Sequence, residues 1–156
     1  MKWKFVAVGK PSLEYARIGI EEYLKRLRRY CKAEFIAVKN GSPEEEGNRL
    51  MKASEGAFRI VLDERGELID TRELSQKVSS LEMDGACKAV AVLIGGAEGH
   101  DDVVRSSADL LISFGRLTLQ HELALVAAVE QIYRVQTCLL YTSDAADEED
   151  SVDLGG

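Results

Sequence analysis

The sequence predicts an α/β domain, a mostly parallel sheet with helices on both faces. Three observations carry this. Strand-length apolar runs alternate with helix-period segments along the chain, in the order β-α-β-α-β-α-β-α-β-α. Residues 90–94, Val90-Ala91-Val92-Leu93-Ile94, are apolar without alternation, as in a central parallel strand covered on both sides. Finally, the runs 90–94 and 110–114 each break into a glycine-bearing loop. In open α/β sheets, ligands bind at the carboxyl ends of strands.

Each element has its own warrant. Residues 3–8 are apolar and end at Gly9, giving a first strand. Pro11-Ser12 then offers a helix start, with Leu13, Ala16, Ile20, Tyr23, Leu24 and Leu27 on one face. Residues 34–38 form a second strand, followed by the turn Asn40-Gly41. Ser42 and Glu45 have capping-box spacing with Pro43 between them, so a helix starts there, runs to about residue 55 and stops at Gly56. Residues 58–62 are a third strand, closed by the turn-like Asp63-Glu64-Arg65-Gly66. A helix over 71–81, the strand 88–94, a short helix over 101–107, the strand 110–114 and a last helix over 122–135 complete the domain.

Composition bounds the function. Hydrophobic residues at 46% and charged residues at 30% are ordinary for a globular protein. No stretch approaches a membrane span or a signal peptide, so the expected address is the cytoplasm and no membrane partner is expected. Cys31, Cys87 and Cys138 form no CxxC pair and read as inert thiols, and with only His100 and His121 no metal cluster can be assembled. The net charge of -7 is concentrated after Tyr141, where Asp144, Asp147, Glu148, Glu149, Asp150 and Asp153 stand without a cation. Residues before that point are close to neutral, so an anionic partner such as RNA is not excluded. Residues 142–156 lack periodicity and are expected to be disordered.

Candidate binding features are modest when taken singly. Gly95-Gly96-Ala97-Glu98-Gly99 is neither a GxGxxG fingerprint nor a P-loop; it offers a close backbone approach, or simply a tight turn. Residues 114–119, mixed apolar with Gly115 and Thr118, could wrap an adenine-sized ligand or pack in the core. The run Lys25-Arg26-Leu27-Arg28-Arg29-Tyr30-Cys31-Lys32 reads either as a solvated helix C-terminus or as a phosphate-binding patch.

The order of several short motifs takes the reading further. Phe5-Val6-Ala7-Val8-Gly9-Lys10, Glu22-Tyr23-Leu24-Lys25-Arg26 and Leu93-Ile94-Gly95-Gly96-Ala97-Glu98-Gly99 occur in sequence. Leu117-Thr118-Leu119-Gln120-His121-Glu122-Leu123 and Glu130-Gln131-Ile132-Tyr133-Arg134 follow. Over roughly residues 1–137 the set closely resembles the SPOUT-superfamily methyltransferases that act on N3 of a pseudouridine in 23S ribosomal RNA. The resemblance implies an α/β fold with a C-terminal trefoil knot, a homodimer, and S-adenosyl-L-methionine as cofactor. It puts that cofactor on Leu62, Gly95, Gly96 and the loop Phe114, Gly115, Arg116, Leu117, Thr118 and Leu119. His121 becomes the candidate base, and Lys25, Arg26, Arg28, Arg29 and Arg134 become candidate contacts to the 23S rRNA of the ribosome. Leu123, Ala127 and Ile132 are expected to face the second copy.

Three departures from the family pattern stand out. Gln120 replaces a common proline, Leu125 replaces a common arginine, and the family's terminal Tyr-His pair has no counterpart. Residues 138–148 resemble translated sequencing-adapter read-through, so 1–137 is expected to be the methyltransferase domain and 138–156 a non-native or disordered acidic tail. A catalytically silent homodimer that binds S-adenosylmethionine or RNA is the alternative. A flavodoxin-like nucleotide-binding module is a third.

Overall fold

The computed structural model describes the backbone of residues 1–144 and the side chains of residues 1–137. Five strands, β1 (Lys2–Val8), β2 (Lys32–Val38), β3 (Phe58–Leu68), β4 (Ala89–Ile94) and β5 (Leu110–Ser113), form one sheet in the order β2-β1-β4-β3-β5. All pairings are parallel. Each strand is followed by a helix: α1 (Glu14–Leu27), α2 (Pro43–Ala53), α3 (Thr71–Asp84), α4 (Asp102–Ser106) and α5 (His121–Asp144). The α/β class expected from the sequence is therefore observed. β4 lies centrally between β1 and β3, as its unbroken apolar run requires.

Alternate residues of each strand feed two separate cores, because successive strand side chains point to opposite faces. Trp3, Phe5, Ile60, Val90, Val92 and Ile112 pack against Ala16, Ile20 and Leu24 of α1, Leu74 and Val78 of α3, and Leu125, Val129 and Ile132 of α5. On the other face, Val6, Val61, Ala91 and Leu93 pack against Leu50 of α2 and Val104 of α4. Three helices thus cover one side and two the other.

The helix starts follow the sequence cues. Ser42 and Glu45 make the reciprocal capping box of α2, and Asp70 with Glu73 repeats it at α3. Asp101 caps α4. α1 lacks a side-chain cap of its own: Leu13 occupies that position, and it is exposed rather than on the buried face. Its place is taken from afar. The buried Glu122 carboxylate accepts from Ser12 N at 3.0 Å, Ser12 Oγ at 3.0 Å and Leu13 N at 2.9 Å.

Two boundaries differ from expectation. β3 continues through Asp63-Glu64-Arg65-Gly66 to Leu68, and both Leu62 and Glu67 pair with Ile112. Turn chemistry is present locally, since Asp63 Oδ1 accepts from Arg65 N at 2.9 Å. The chain nevertheless resumes pairing afterwards, and Gly66 lies so close to Ile112 that an added Cβ would come within 2.6 Å of its backbone. α5 continues to Asp144 rather than ending near 135, while residues 145–156 of the expected acidic tail lie outside the described residues. Ile132, expected at a partner surface, is instead buried in the first core, whereas Leu123 is exposed.

Candidate active site

The Leu62–Arg65 stretch of β3 and the carboxyl ends of β4 and β5 surround a cavity of about 620 Å³, within the range usual for small-molecule sites. Leu62, Gly95, Gly96, Phe114, Leu117, Thr118, Leu119 and His121 all line it. Gly115 and Arg116 belong to the same loop but are not part of the lining. Sequence reasoning does not reach other wall residues, above all Asp63, His100 and Arg105. Asp63 reads as a turn residue, and nothing in the spacing connects the other two to it.

Local chemistry explains the shape of the walls. Gly99 N donates to Gly96 O at 3.0 Å, closing a tight turn. A Cβ at Gly95 would sit 2.9 Å from the Gly99 backbone, so the turn demands the glycine. Gly115 has φ +146°, a conformation open essentially to glycine alone. Ser113 Oγ steadies that loop by donating to Gly115 O at 2.7 Å. Thr118 Oγ1 reaches Glu64 Oε2 across the cavity at 3.4 Å.

Gln120, the residue in place of proline, has an evident job. Its Oε1 accepts from Glu122 N at 3.0 Å and Leu123 N at 3.1 Å, capping α5 with a side chain. Its Nε2 lies 3.4 Å from His121 Nδ1, and His121 Nε2 lies 4.0 Å from Glu122 Oε2. Leu125, the residue in place of arginine, is buried in the core. An unpaired charge there would be costly.

Deeper in the wall, Arg105 is held by Asp63 at 3.4 Å and by Asp102. The buried His100 ring lies with Nε2 3.3 Å from Leu93 O, and its Nδ1 has no hydrogen-bond partner. Burial holds this ring below its ordinary pKa, against the opposing pull of Asp63 and of the Leu93 and Leu62 carbonyls.

The cationic candidates gather elsewhere. Tyr133 of α5 meets Tyr23 at 5.9 Å and Tyr30 at 6.3 Å, bringing the end of α1 beside the Tyr133-Arg134 segment. A helix following a parallel strand runs back along the sheet, so this group lies toward the strand starts. His121 and Arg134 are thirteen residues apart on α5, about 20 Å at the helical rise. Several of these cations already have local partners: Arg26 with Glu22 at 2.7 Å, Arg28 Nε with Ala33 O at 2.9 Å, and Arg134 with Glu130 at 2.6 Å. Lys25 and Arg29 make no ion pair among the described residues.

No group of His, Cys, Asp or Glu among the described residues could hold a metal ion. No helix among them is long and apolar enough to cross a membrane. Burial pushes the Cys31 thiol up to about 11, well away from a reactive thiolate.

Comparison with known proteins shows which family the chain belongs to. The family model described as predicted SPOUT methyltransferase matches residues 1–141. The chain belongs to the SPOUT methyltransferase family. Among its relatives, a ribosomal RNA large subunit methyltransferase H of Thermus thermophilus is 47% identical over 137 residues, which cover 88% of this chain and 93% of the relative. The protein of the same name from Deinococcus deserti is 41% identical, over 88% of this chain and 94% of its own length. Solved structures share the fold at low identity. A probable methyltransferase from Bordetella pertussis has TM-score 0.57 at 13% identity, covering 86% of this chain and 95% of its own. The tRNA (m1G37) methyltransferase from Aquifex aeolicus has TM-score 0.53 at 17% identity, covering 86% and 70%. Family membership matches the resemblance read from the ordered motifs.

Proposed function

We propose that this protein is a ribosomal RNA methyltransferase that transfers a methyl group from S-adenosyl-L-methionine to N3 of a pseudouridine in 23S rRNA of the assembled ribosome. The observation that carries the reading is the cavity at the strand ends, walled by Leu62, Gly95, Gly96, Phe114, Leu117, Thr118 and Leu119, in a chain whose relatives are named as large-subunit rRNA methyltransferases.

The cavity's residues fit such a cofactor. Leu62, Ile94, Leu117 and Leu119 offer apolar walls for an adenine, and main chain of the Gly95–Gly99 turn lines the cavity beside them. When bound, S-adenosylmethionine supplies a methyl group on a positively charged sulfur. The chain's contribution is to exclude water and to align the nucleophile, which together supply much of the rate in such a transfer. N3 of the pseudouridine must give up its imide proton. His121, on the cavity wall next to the cap of α5, is the candidate to receive it.

The same reading includes a homodimer. Tyr15 and Ile18 of α1 and Leu123 of α5 are exposed large apolar groups on two helices packed on one another. The cations of residues 25–29 and Arg134 lie about 20 Å from the cavity within one chain, so a second copy would bring RNA contacts and cavity closer. The knotted C-terminal path implied by the family belongs to this reading too. A ribosomal substrate implies a cytoplasmic address.

The test is transfer of a labelled methyl group from S-adenosylmethionine to ribosomes lacking the modification, with the modified base located by mass spectrometry. A parallel reaction uses the chain with a Tyr-His ending added. Transfer to a pseudouridine N3 supports the proposal. Binding of S-adenosylhomocysteine without transfer, in both forms, would leave a silent binding protein. Stabilisation by flavin mononucleotide instead would point to a flavodoxin-like module.

A further inference from the structure

Facing walls of the cavity are built by two loops distant in sequence, residues 63–66 within β3 and residues 95–100 after β4. Residues 63–66 are the stretch of β3 over which its pairing register with β5 shifts, and residues 95–100 are a turn, so a cavity between them keeps its shape only if their spacing is fixed. One side chain bridges them. Arg105 Nη1 donates to the main-chain carbonyl of His100 and lies 3.4 Å from Asp63 Oδ2, while Nη2 engages Asp102. Asp63 in turn receives Arg65 N at 2.9 Å, so the guanidinium holds the 63–66 loop through a residue that organises it. From the other loop, the His100 ring turns inward and its Nε2–H donates to Leu93 O at 3.3 Å, fastening the end of the glycine turn to β4.

We infer that His100 and Arg105 form a two-part clamp that sets the spacing between these loops, making both of them positioning residues for the cavity. What the cavity holds rests on the reading above; the clamp itself does not. Packing alone does not account for the imidazole. The ring is buried, and Nδ1 has no partner. A leucine would fill a buried apolar space without leaving a buried nitrogen unsatisfied. The ring's N–H, directed at Leu93 O, is what a leucine could not supply.

The charged groups around the ring are few. Asp63 of β3 and Arg105 of α4 face it on the cavity side, and Glu46 of α2 and Asp101 line a smaller hollow with it on the other. Burial disfavours the protonated ring, so the stability the ring contributes is complete above about pH 6.5 and is lost progressively as the pH falls below that value.

Hydrogen exchange followed by mass spectrometry on the free protein tests the clamp without any ligand. His100→Leu and Arg105→Lys are expected to speed exchange roughly tenfold in peptides covering both loops, leaving β1 and α2 unchanged. His100→Gln, whose amide N–H can also reach the Leu93 carbonyl, is expected to restore protection. It should also flatten the fall in melting temperature between pH 7.5 and 5.5. Unchanged exchange in Arg105→Lys, loosening confined to one loop, or glutamine no better than leucine would each overturn the inference. A parallel titration with S-adenosylhomocysteine keeps the two ideas apart. Failure of the unaltered protein to bind it sinks the cofactor reading and leaves the exchange result standing.

Discussion

Removing the Glu122 carboxylate should loosen the start of α1, more than a hundred residues away in sequence. Glu122 accepts from Ser12 N, Ser12 Oγ and Leu13 N at 2.9–3.0 Å, and α1 has no side-chain cap of its own. Glu122→Ala strands two main-chain donors in a partly buried corner. At about 1–3 kcal/mol for each unsatisfied group, the expected loss is about 2–6 kcal/mol. Glu122→Gln keeps one acceptor but turns an NH₂ toward donors and loses the charge, for a loss of about 1–3 kcal/mol.

The pH dependence adds a second signature. Burial pushes the Glu122 carboxyl up, but hydrogen bonds from Ser12 and Leu13, with the nearby His121, outweigh it and hold the group below its ordinary value of 4.5. A carboxylate with a depressed folded pKa stabilises above the unfolded value and loses that contribution as the pH falls through the folded one. The gap between the unaltered protein and Glu122→Gln should therefore be widest near neutrality and close below pH 4.5. Urea denaturation at pH 7 and pH 3.5, at one fixed protein concentration, measures both effects. An alanine variant within 0.5 kcal/mol of the parent, or a gap indifferent to pH, would refute the reasoning.

Other consequences are equally direct. Gly66→Ala drives a Cβ to within 2.6 Å of the Ile112 main chain, whereas Gly56→Ala meets no atom within 4 Å and bears only the strain of φ +78°. Urea midpoints should show Gly66→Ala losing at least about 3 kcal/mol and Gly56→Ala about 1–2 kcal/mol; equal losses would contradict the close approach. Trp3→Phe removes an indole N–H that has no partner in the core, so the lost packing is partly offset and the net change should stay under about 1.5 kcal/mol. A loss like that of a cavity-forming Phe5→Ala, about 3–5 kcal/mol, would mean the indole nitrogen is satisfied after all. His121→Ala should lower methyl transfer by about 10²-fold or more while leaving the melting-temperature rise with S-adenosylhomocysteine intact. Full transfer by that variant would remove His121 from the role of base.

The order of strands and helices is readable because each boundary has a local cause: the Ser42–Glu45 box, the glycines after β1 and β4, and the unbroken apolar run of the central strand. Where local and distant causes compete, the sequence misleads. Asp63-Glu64-Arg65-Gly66 does carry turn chemistry, yet β5 supplies backbone partners on its far side and the strand resumes. The glycine-bearing ends of β4 and β5 point to the cavity because topology alone puts strand ends together. Arg105 and His100 cannot be found that way, since their significance lies in meeting Asp63 and Leu93, which no spacing reveals. Ile132 misleads because α5 is apolar on more than one side, and only packing shows which side the sheet covers.

The position of β4 matters before the protein is finished. Synthesis delivers β1, β2 and β3 first, yet β1 and β3 are not neighbours: the strand that joins them is the fourth to appear. Until residue 94 has left the ribosome, the sides of β1 and β3 that β4 will fill stay open, and the two halves of the sheet have nothing to hold them in register. A nascent chain stalled in that interval would present bare strand edges rich in Val, Ile and Phe, the kind of surface that chaperones shield. Once Ala89–Ile94 slots in, the facing edges of β1 and β3 close together and only the β5 side of β3 still waits for its partner, so the sheet is expected to form abruptly and late in translation.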